Sequence, residues 1–138
     1  MSVDADLAGR TFPATAPYEV GREKIRDFLT AIGAEAGNGD EAPPTFAIVV
    51  AFRAMQQLLE DSEVGIALHR VVHADQRFVA RRPVRPGDVL TAELTVESLR
   101  RLGGADIIGT RTDVATLEGE PVVTAYATLV HRGEEPAR

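Results

Sequence analysis

Residues 46–52, Phe-Ala-Ile-Val-Val-Ala-Phe, are apolar without interruption, and no other feature constrains this chain as strongly. The run is far too short for a membrane span, which needs ~20 such residues. By itself it also fits a buried β-strand. The continuation Arg53-Ala54-Met55-Gln56-Gln57-Leu58-Leu59-Glu60 consists of good helix formers, so the spacing predicts one helix from near Thr45 to about Glu60. A helix that is apolar on every side must be surrounded by protein. With 138 residues the chain has room for one domain, so its remaining segments must supply that surround.

The segments after residue 68 have the pattern to do so. His69–Arg82, Val89–Arg101, Asp106–Leu117 and Val122–Arg132 alternate apolar and polar residues at the period of a strand. They are punctuated by Pro86-Gly87-Asp88, Leu102-Gly103-Gly104 and Glu118-Gly119-Glu120-Pro121, which are turn sequences. Upstream, Val20, Ile25, Phe28, Leu29 and Ile32 recur at helical spacing between Gly21 and Gly33, predicting a helix over 22–32. Residues 33–44 carry three glycines and no periodicity, and read as a loop. Residues 1–17 read as an extended leader, and 133–138 as a flexible charged tail.

Composition removes several function classes. The chain has no cysteine, which excludes disulfides, thiolate metal sites and cysteine nucleophiles. Its three histidines, His69, His73 and His131, match no zinc spacing, and no metal is expected. The net charge of −6 argues against general nucleic-acid binding, which needs a basic face. The acidic start Met1-Ser2-Val3-Asp4-Ala5-Asp6 lacks the order of a signal peptide, and no segment suits a membrane. A cytoplasmic, single-domain protein is the expectation.

An antiparallel meander curled around one buried helix, with its outer edges pairing to a second copy or a homologue, is an α+β arrangement of the hotdog type. Specific stretches point the same way. Tyr18-Glu19-Val20-Gly21-Arg22-Glu23-Lys24-Ile25-Arg26-Asp27-Phe28 resembles the first helix of actinobacterial MaoC-like dehydratases. Ala42-Pro43-Pro44-Thr45-Phe46 is similar to the start of their central helix. Arg70–Phe78 and Arg82–Leu90 resemble their first long strand and its turn. The likeness spans most of residues 18–132 as a single MaoC-like hotdog domain. It is nearest to the accessory, acyl-chain-binding subunit of (3R)-hydroxyacyl-ACP dehydratases, which act in fatty-acid, mycolic-acid or polyketide elongation.

That resemblance implies a reaction and shows what is missing for it. Dehydrating a 3-hydroxyacyl thioester needs a base for the Cα proton, an acid for the hydroxyl and donors for the enolate oxygen. Active family members supply acid and base from an Asp, an Asn-Pro and a His just upstream of the central helix. Here Asn38 precedes Gly39, Asp40 is the lone aspartate in that loop, and no histidine occurs before His69. The hydratase motif is absent. Asp40 and His73 remain as displaced catalytic candidates, although Asp40 also reads as a turn residue and His73 as an ordinary strand residue. His73 and Gln76, three apart on a strand, are expected on opposite faces, and His69 and His131 at the surface.

The resemblance also implies that Pro44, Thr45, Phe46, Ile48, Val49, Phe52 and Gln76 line the substrate. The thioester would lie against the first turn at 43–47, where free N–H groups and the helix dipole favour negative charge, with the acyl chain along Ile48, Val49 and Phe52. Arg81, Arg82 and Arg85, with Arg77, form a basic cluster suited to an acidic carrier protein or to coenzyme A phosphates, or else a solvated strand end. No cofactor is expected. The partners implied are a catalytic hotdog homologue or a second copy, and an acyl carrier protein or acyl-CoA. Alternative readings are an autonomous homodimeric hydratase with a displaced base, and a non-catalytic acyl-thioester binding protein. A hotdog thioesterase needs a carboxylate in the first turns of the helix, and Thr45 to Val50 contain none.

Overall fold

Strand periodicity and the turn sequences build the sheet first. The computed structural model describes residues 3–133. In chain order its elements are β1 (Tyr18–Glu19), α1 (Arg22–Ala31), a 3₁₀ turn (Pro44–Ala47), α2 (Ile48–Glu60), a 3₁₀ turn (Leu68–Arg70), β2 (Val71–Ala80), β3 (Val89–Leu102), β4 (Ala105–Thr116) and β5 (Pro121–Arg132). Four of the strands form a long antiparallel group, and the whole sheet has the order β1-β3-β4-β5-β2. The Gly103-Gly104 turn between β3 and β4 works because both glycines take positive φ, +57° and +80°, a conformation that L side chains rarely adopt.

The sheet curls around α2, which buries Val50, Ala51, Ala54, Met55 and Leu58 against it. The α+β hotdog architecture expected from the pattern is therefore present. The helix is less enclosed within one chain than its composition suggests. Phe52 is 40% exposed, and Ile48 and Val49 are half-buried. Its beginning also differs. Two prolines tighten the first turn to 3₁₀ geometry, and Thr45 lies inside that turn, whose cap position is Pro43. Phe46 is fully buried and meets Phe28 of α1 edge-on, with ring centroids 5.4 Å apart, an arrangement worth ~1 kcal/mol beyond area burial.

The leader covers one margin of the sheet. Val3, Leu7 and Phe12 are buried, and backbone bonds run from Gly9 to Val96, Phe12 to Leu94 and Thr15 to Ala92. With β1 on Val89 and Leu90, this segment occupies the outer edge of β3. The opposite margin is β2, whose outer edge has no strand beside it among the described residues. The rest of the expected tail, residues 134–138, lies outside the described residues. Among the described residues no helix is long and apolar enough to cross a membrane.

Candidate functional site

The loop before α2 and the end of β2 meet at one groove. Ala42 donates its N–H to the Val84 carbonyl at 2.8 Å, and Arg81 donates its own to Val122 at 2.8 Å. Between these ties opens a groove of ≈ 340 Å³ lined by Glu41, Ala42, Pro43, Pro44, Ala80, Arg81, Arg82, Pro83, Val84 and Val123. The geometry thus brings the start of the central helix and part of the basic cluster to one place. Pro44 and Arg81 are exposed there, and Thr45 is exposed beside them. The N–H of Phe46 donates to the Pro43 carbonyl at 2.9 Å, so the donors of the first turn are fewer than the sequence suggests. Ile48 and Phe52, four residues apart, continue an apolar stripe along α2 away from the groove. Phe46 belongs to the core rather than to the groove surface.

The four arginines have four different environments. Arg82 grips Asp88 through two nitrogens, at 2.9 and 3.1 Å, and reaches Glu120 at 3.3 Å. Bonds to these carboxylates outweigh its desolvation and raise its pKa further. Burial opposes ionisation of Asp88, yet the Arg82 fork and the Arg85 N–H overcome it and hold that carboxyl below its ordinary range. This is a clamp on the Pro83–Asp88 turn. The Arg85 guanidinium stands 3.7 Å from Glu41, and Arg77 stacks on the Tyr126 ring with its Cζ 4.1 Å from the centroid. Arg81 makes no ion pair among the described residues. It is the cation of this group left open to solvent at the groove.

The catalytic candidates do not converge there. Asp40 is bound to Arg22, which also donates to the Asn38 carbonyl at 2.8 Å. The Arg22 hydrogen bond keeps the Asp40 carboxyl below its usual range, which makes it a weaker base. Asp40 is absent from the groove lining. His73 lies seven residues before Ala80, roughly 20 Å along an extended strand.

Two histidines depart from expectation. His73 and Gln76 are not on opposite faces, because β2 carries a bulge between His73 and Asp75, and Ala74 is the extra residue. The bulge resets the alternation, and His73 Nε2 lies 3.0 Å from Gln76 Oε1. His131 is not a surface residue. It is 1% exposed, accepts the Ala67 N–H on Nε2 at 3.0 Å, and places Nδ1 3.6 Å from Asp106. Asp106 in turn accepts the Val3 N–H at 3.1 Å and stands 3.3 Å from Arg101 Nε. The alternation of Val123, Ala125, Ala127 and Leu129 on the buried face already reaches His131, so the strand period carried that signal. Among the described residues no group of three or more potential ligands is placed to hold a metal ion.

A curled antiparallel sheet around one helix, with an open groove at the helix start, is the hotdog fold. The family model for the FAS1-like dehydratase domain region matches residues 6–125, and the chain belongs to that family, among the MaoC-like hotdog dehydratases. It is 47% identical over 150 residues to UPF0336 protein SCO4636 of Streptomyces coelicolor, covering 99% of this chain and 100% of that one. It is 43% identical to UPF0336 protein PPA1896 of Cutibacterium acnes, covering 98% of each chain. Among solved structures, a chain of the truncated HadBC (3R-hydroxyacyl-ACP dehydratase) complex of Mycobacterium tuberculosis superposes with a TM-score of 0.79 at 32% identity, covering 91% of this chain and 98% of that one. The MaoC-like dehydratase of Rhodospirillum rubrum shares the fold, with a TM-score of 0.65, 20% identity and 94% coverage of both chains.

Proposed function

We propose that this chain is the accessory, acyl-chain-binding subunit of a (3R)-hydroxyacyl thioester dehydratase, carried on acyl carrier protein or coenzyme A, in cytoplasmic fatty-acid or polyketide elongation. One observation carries the reading. The groove at the start of α2 offers apolar walls and the open cation Arg81, while the groups that would do acid–base chemistry lie elsewhere, Asp40 held by Arg22 and His73 near the far end of β2. Such a site binds and orients a thioester and leaves proton transfer to another chain. The superposition on a chain of the HadBC complex supports a paired hotdog assembly.

Hydration of a trans-2-enoyl thioester, followed as loss of enoyl absorbance, tests this. The purified chain should be slower by a factor of about 10² or more than a mixture with a catalytic hotdog chain, the usual contribution of general acid–base catalysis. Full turnover by the purified chain, abolished by Asp40→Asn, would establish the autonomous hydratase instead.

A further inference from the structure

We infer that His131 is a proton-operated latch. In its neutral form it holds the loop after α2, residues 61–67, against the sheet; on taking up a proton it releases that loop and turns to Asp106. The inference does not rest on the proposed thioester-binding role and concerns the opposite end of the molecule.

The partners of the ring fix its tautomer. The Ala67 N–H can only donate, so Nε2 of His131, 3.0 Å away, must hold a lone pair. Neutral imidazole then carries its hydrogen on Nδ1. That nitrogen is buried, makes no hydrogen bond among the described residues, and lies 3.6 Å from Oδ2 of Asp106. A further proton goes to Nε2 and changes both sides of the ring. It sets two N–H groups against each other across 3.0 Å, and the bond to Ala67 cannot persist. It also makes Nδ1–H a charged donor beside a carboxylate. A ring movement of about 0.8 Å closes that gap to a charge-assisted hydrogen bond of about 2.8 Å. The ring has two partners and, at its present spacing, bonds only one.

The surrounding charges leave Asp106 as the receiver. It is the one carboxylate in ion-pair reach of the ring among the described residues. From β3, Arg101 stands 3.3 Å from its other oxygen, Oδ1. The leader brings the Val3 N–H to Oδ2 at 3.1 Å, which leaves that oxygen a second lone pair for His131. The remaining charges nearby are engaged or turned outward. Asp4 accepts the Asp6 N–H at 3.0 Å, Asp61 pairs with Arg10 at 2.7 Å, and Arg70 donates to the Gly133 carbonyl at 2.6 Å. Glu63, His69 and Arg132 are exposed, and Val71, opposite His131 on β2, is apolar.

The loop depends on this one bond. Among the described residues, the Ala67 N–H to His131 is the only hydrogen bond from residues 61–67 to β2, β3, β4 or β5. The other long-range ties of the loop run to the leader, where the Val64 carbonyl accepts the Asp4 N–H at 3.0 Å and Asp61 holds Arg10. Val64 is fully buried, and Ile66 packs on the same core. Releasing Ala67 therefore uncovers the apolar side of the loop and passes the loosening to the leader.

Nitrogen-15 NMR of the labelled wild-type chain tests the latch. At about pH 8 the ring should show hydrogen on Nδ1 alone, and the Ala67 amide should be protected from exchange. As the pH falls to about 5, across the range in which histidines take up protons, the ring should become imidazolium. Ala67 protection, corrected for the intrinsic pH dependence of exchange, should fall about tenfold or more at the same midpoint, the worth of one hydrogen bond to a buried group. The Asp4 amide, bonded to Val64, should lose protection with it. His131→Gln offers Ala67 an oxygen that does not titrate, so its protection should persist to about pH 5. Asp106→Asn removes the receiving carboxylate and keeps an acceptor for Val3, and should weaken proton uptake by the ring about tenfold. A ring that stays neutral until the whole chain unfolds, or one that titrates while Ala67 stays protected, overturns the latch. Loss of Ala67 protection at the same midpoint in His131→Gln overturns it too, because another group is then responsible. An unchanged midpoint in Asp106→Asn overturns the exchange of partners.

Discussion

The two ends of α2 present opposite solutions to the same problem of a charged group beside an apolar core. At its C-terminal end Asp106, 3% exposed, gathers the Val3 N–H, Arg101 and His131, while His131 accepts the Ala67 N–H. That end is closed, and its polar atoms tie the leader and the loop after α2 to the sheet. At the N-terminal end Arg82 clamps Asp88 and Glu120, and the clamp holds the turn that walls an open groove. A buried carboxylate–imidazole pair invites a catalytic reading. Here it is buried and forms no part of the groove lining, whereas the groove end lacks such a pair. His131 Nδ1, 3.6 Å from Asp106, makes no hydrogen bond among the described residues, so this pair is held by burial and by the Val3 and Ala67 N–H groups, whereas Arg81 at the groove is open to solvent.

The largest expected effect breaks the closed end. Asp106→Ala leaves the Val3 N–H without its acceptor and Arg101 without its carboxylate, and should cost about 2–3 kcal/mol of stability, measured by urea denaturation. Thioester affinity measured well below the transition should stay within about twofold of wild type. A large affinity loss with unchanged stability would move the functional site to this end.

Next comes the clamp. Arg82→Ala should cost about 1–2 kcal/mol and loosen the groove wall, weakening the ligand as well. Asp88 has a pKa below its ordinary value, so its contribution is fully present above ~4, the unfolded carboxylate value. It is lost as pH falls through the lower folded value. Denaturation series from pH 7 to pH 2 should show this loss in wild type and lack it in Asp88→Asn.

Smaller effects belong to the open charges. Arg81→Ala should weaken coenzyme A thioester binding about two- to fivefold at low salt, with the difference shrinking near 0.5 M salt as exposed attractions are screened. Asp40→Asn should leave ligand affinity within about twofold, because that carboxylate faces Arg22 and not the groove. A strong effect of Asp40→Asn, with none from Arg81→Ala, would reverse the roles assigned to the loop and to the strand end.

Much of this architecture is written in period and punctuation. The 3.6-residue repeat placed α1 within one residue of Arg22–Ala31, and the alternation placed β3, β4 and β5 within one residue of their ends. From sequence the leader reads as an extended segment with one short strand, and its docking is not legible because Val3, Leu7 and Phe12 follow neither period and are buried only by lying against the sheet. The bulge at Ala74 was silent, since a single inserted residue in an edge strand leaves no compositional trace. The dispersal of the arginines was equally unreadable. Their closeness in sequence suggested one patch, while the acids that separate them, Glu41, Asp88 and Glu120, come from three different turns or loops. Pro43 and Pro44 line the groove at the start of the central helix, and Glu41 and Val123 join them there only through the tertiary fold.

The central claim is that the groove between the start of α2 and the end of β2 receives an acyl thioester. Chemical-shift mapping of the uniformly labelled protein with octanoyl-pantetheine tests it most directly. The account predicts shifts at Ala42, Thr45, Ala80, Arg81 and Val84, continuing to Ile48 and Phe52. Shifts confined to Leu58, Val64, Leu129 and His131 at the closed end would contradict it.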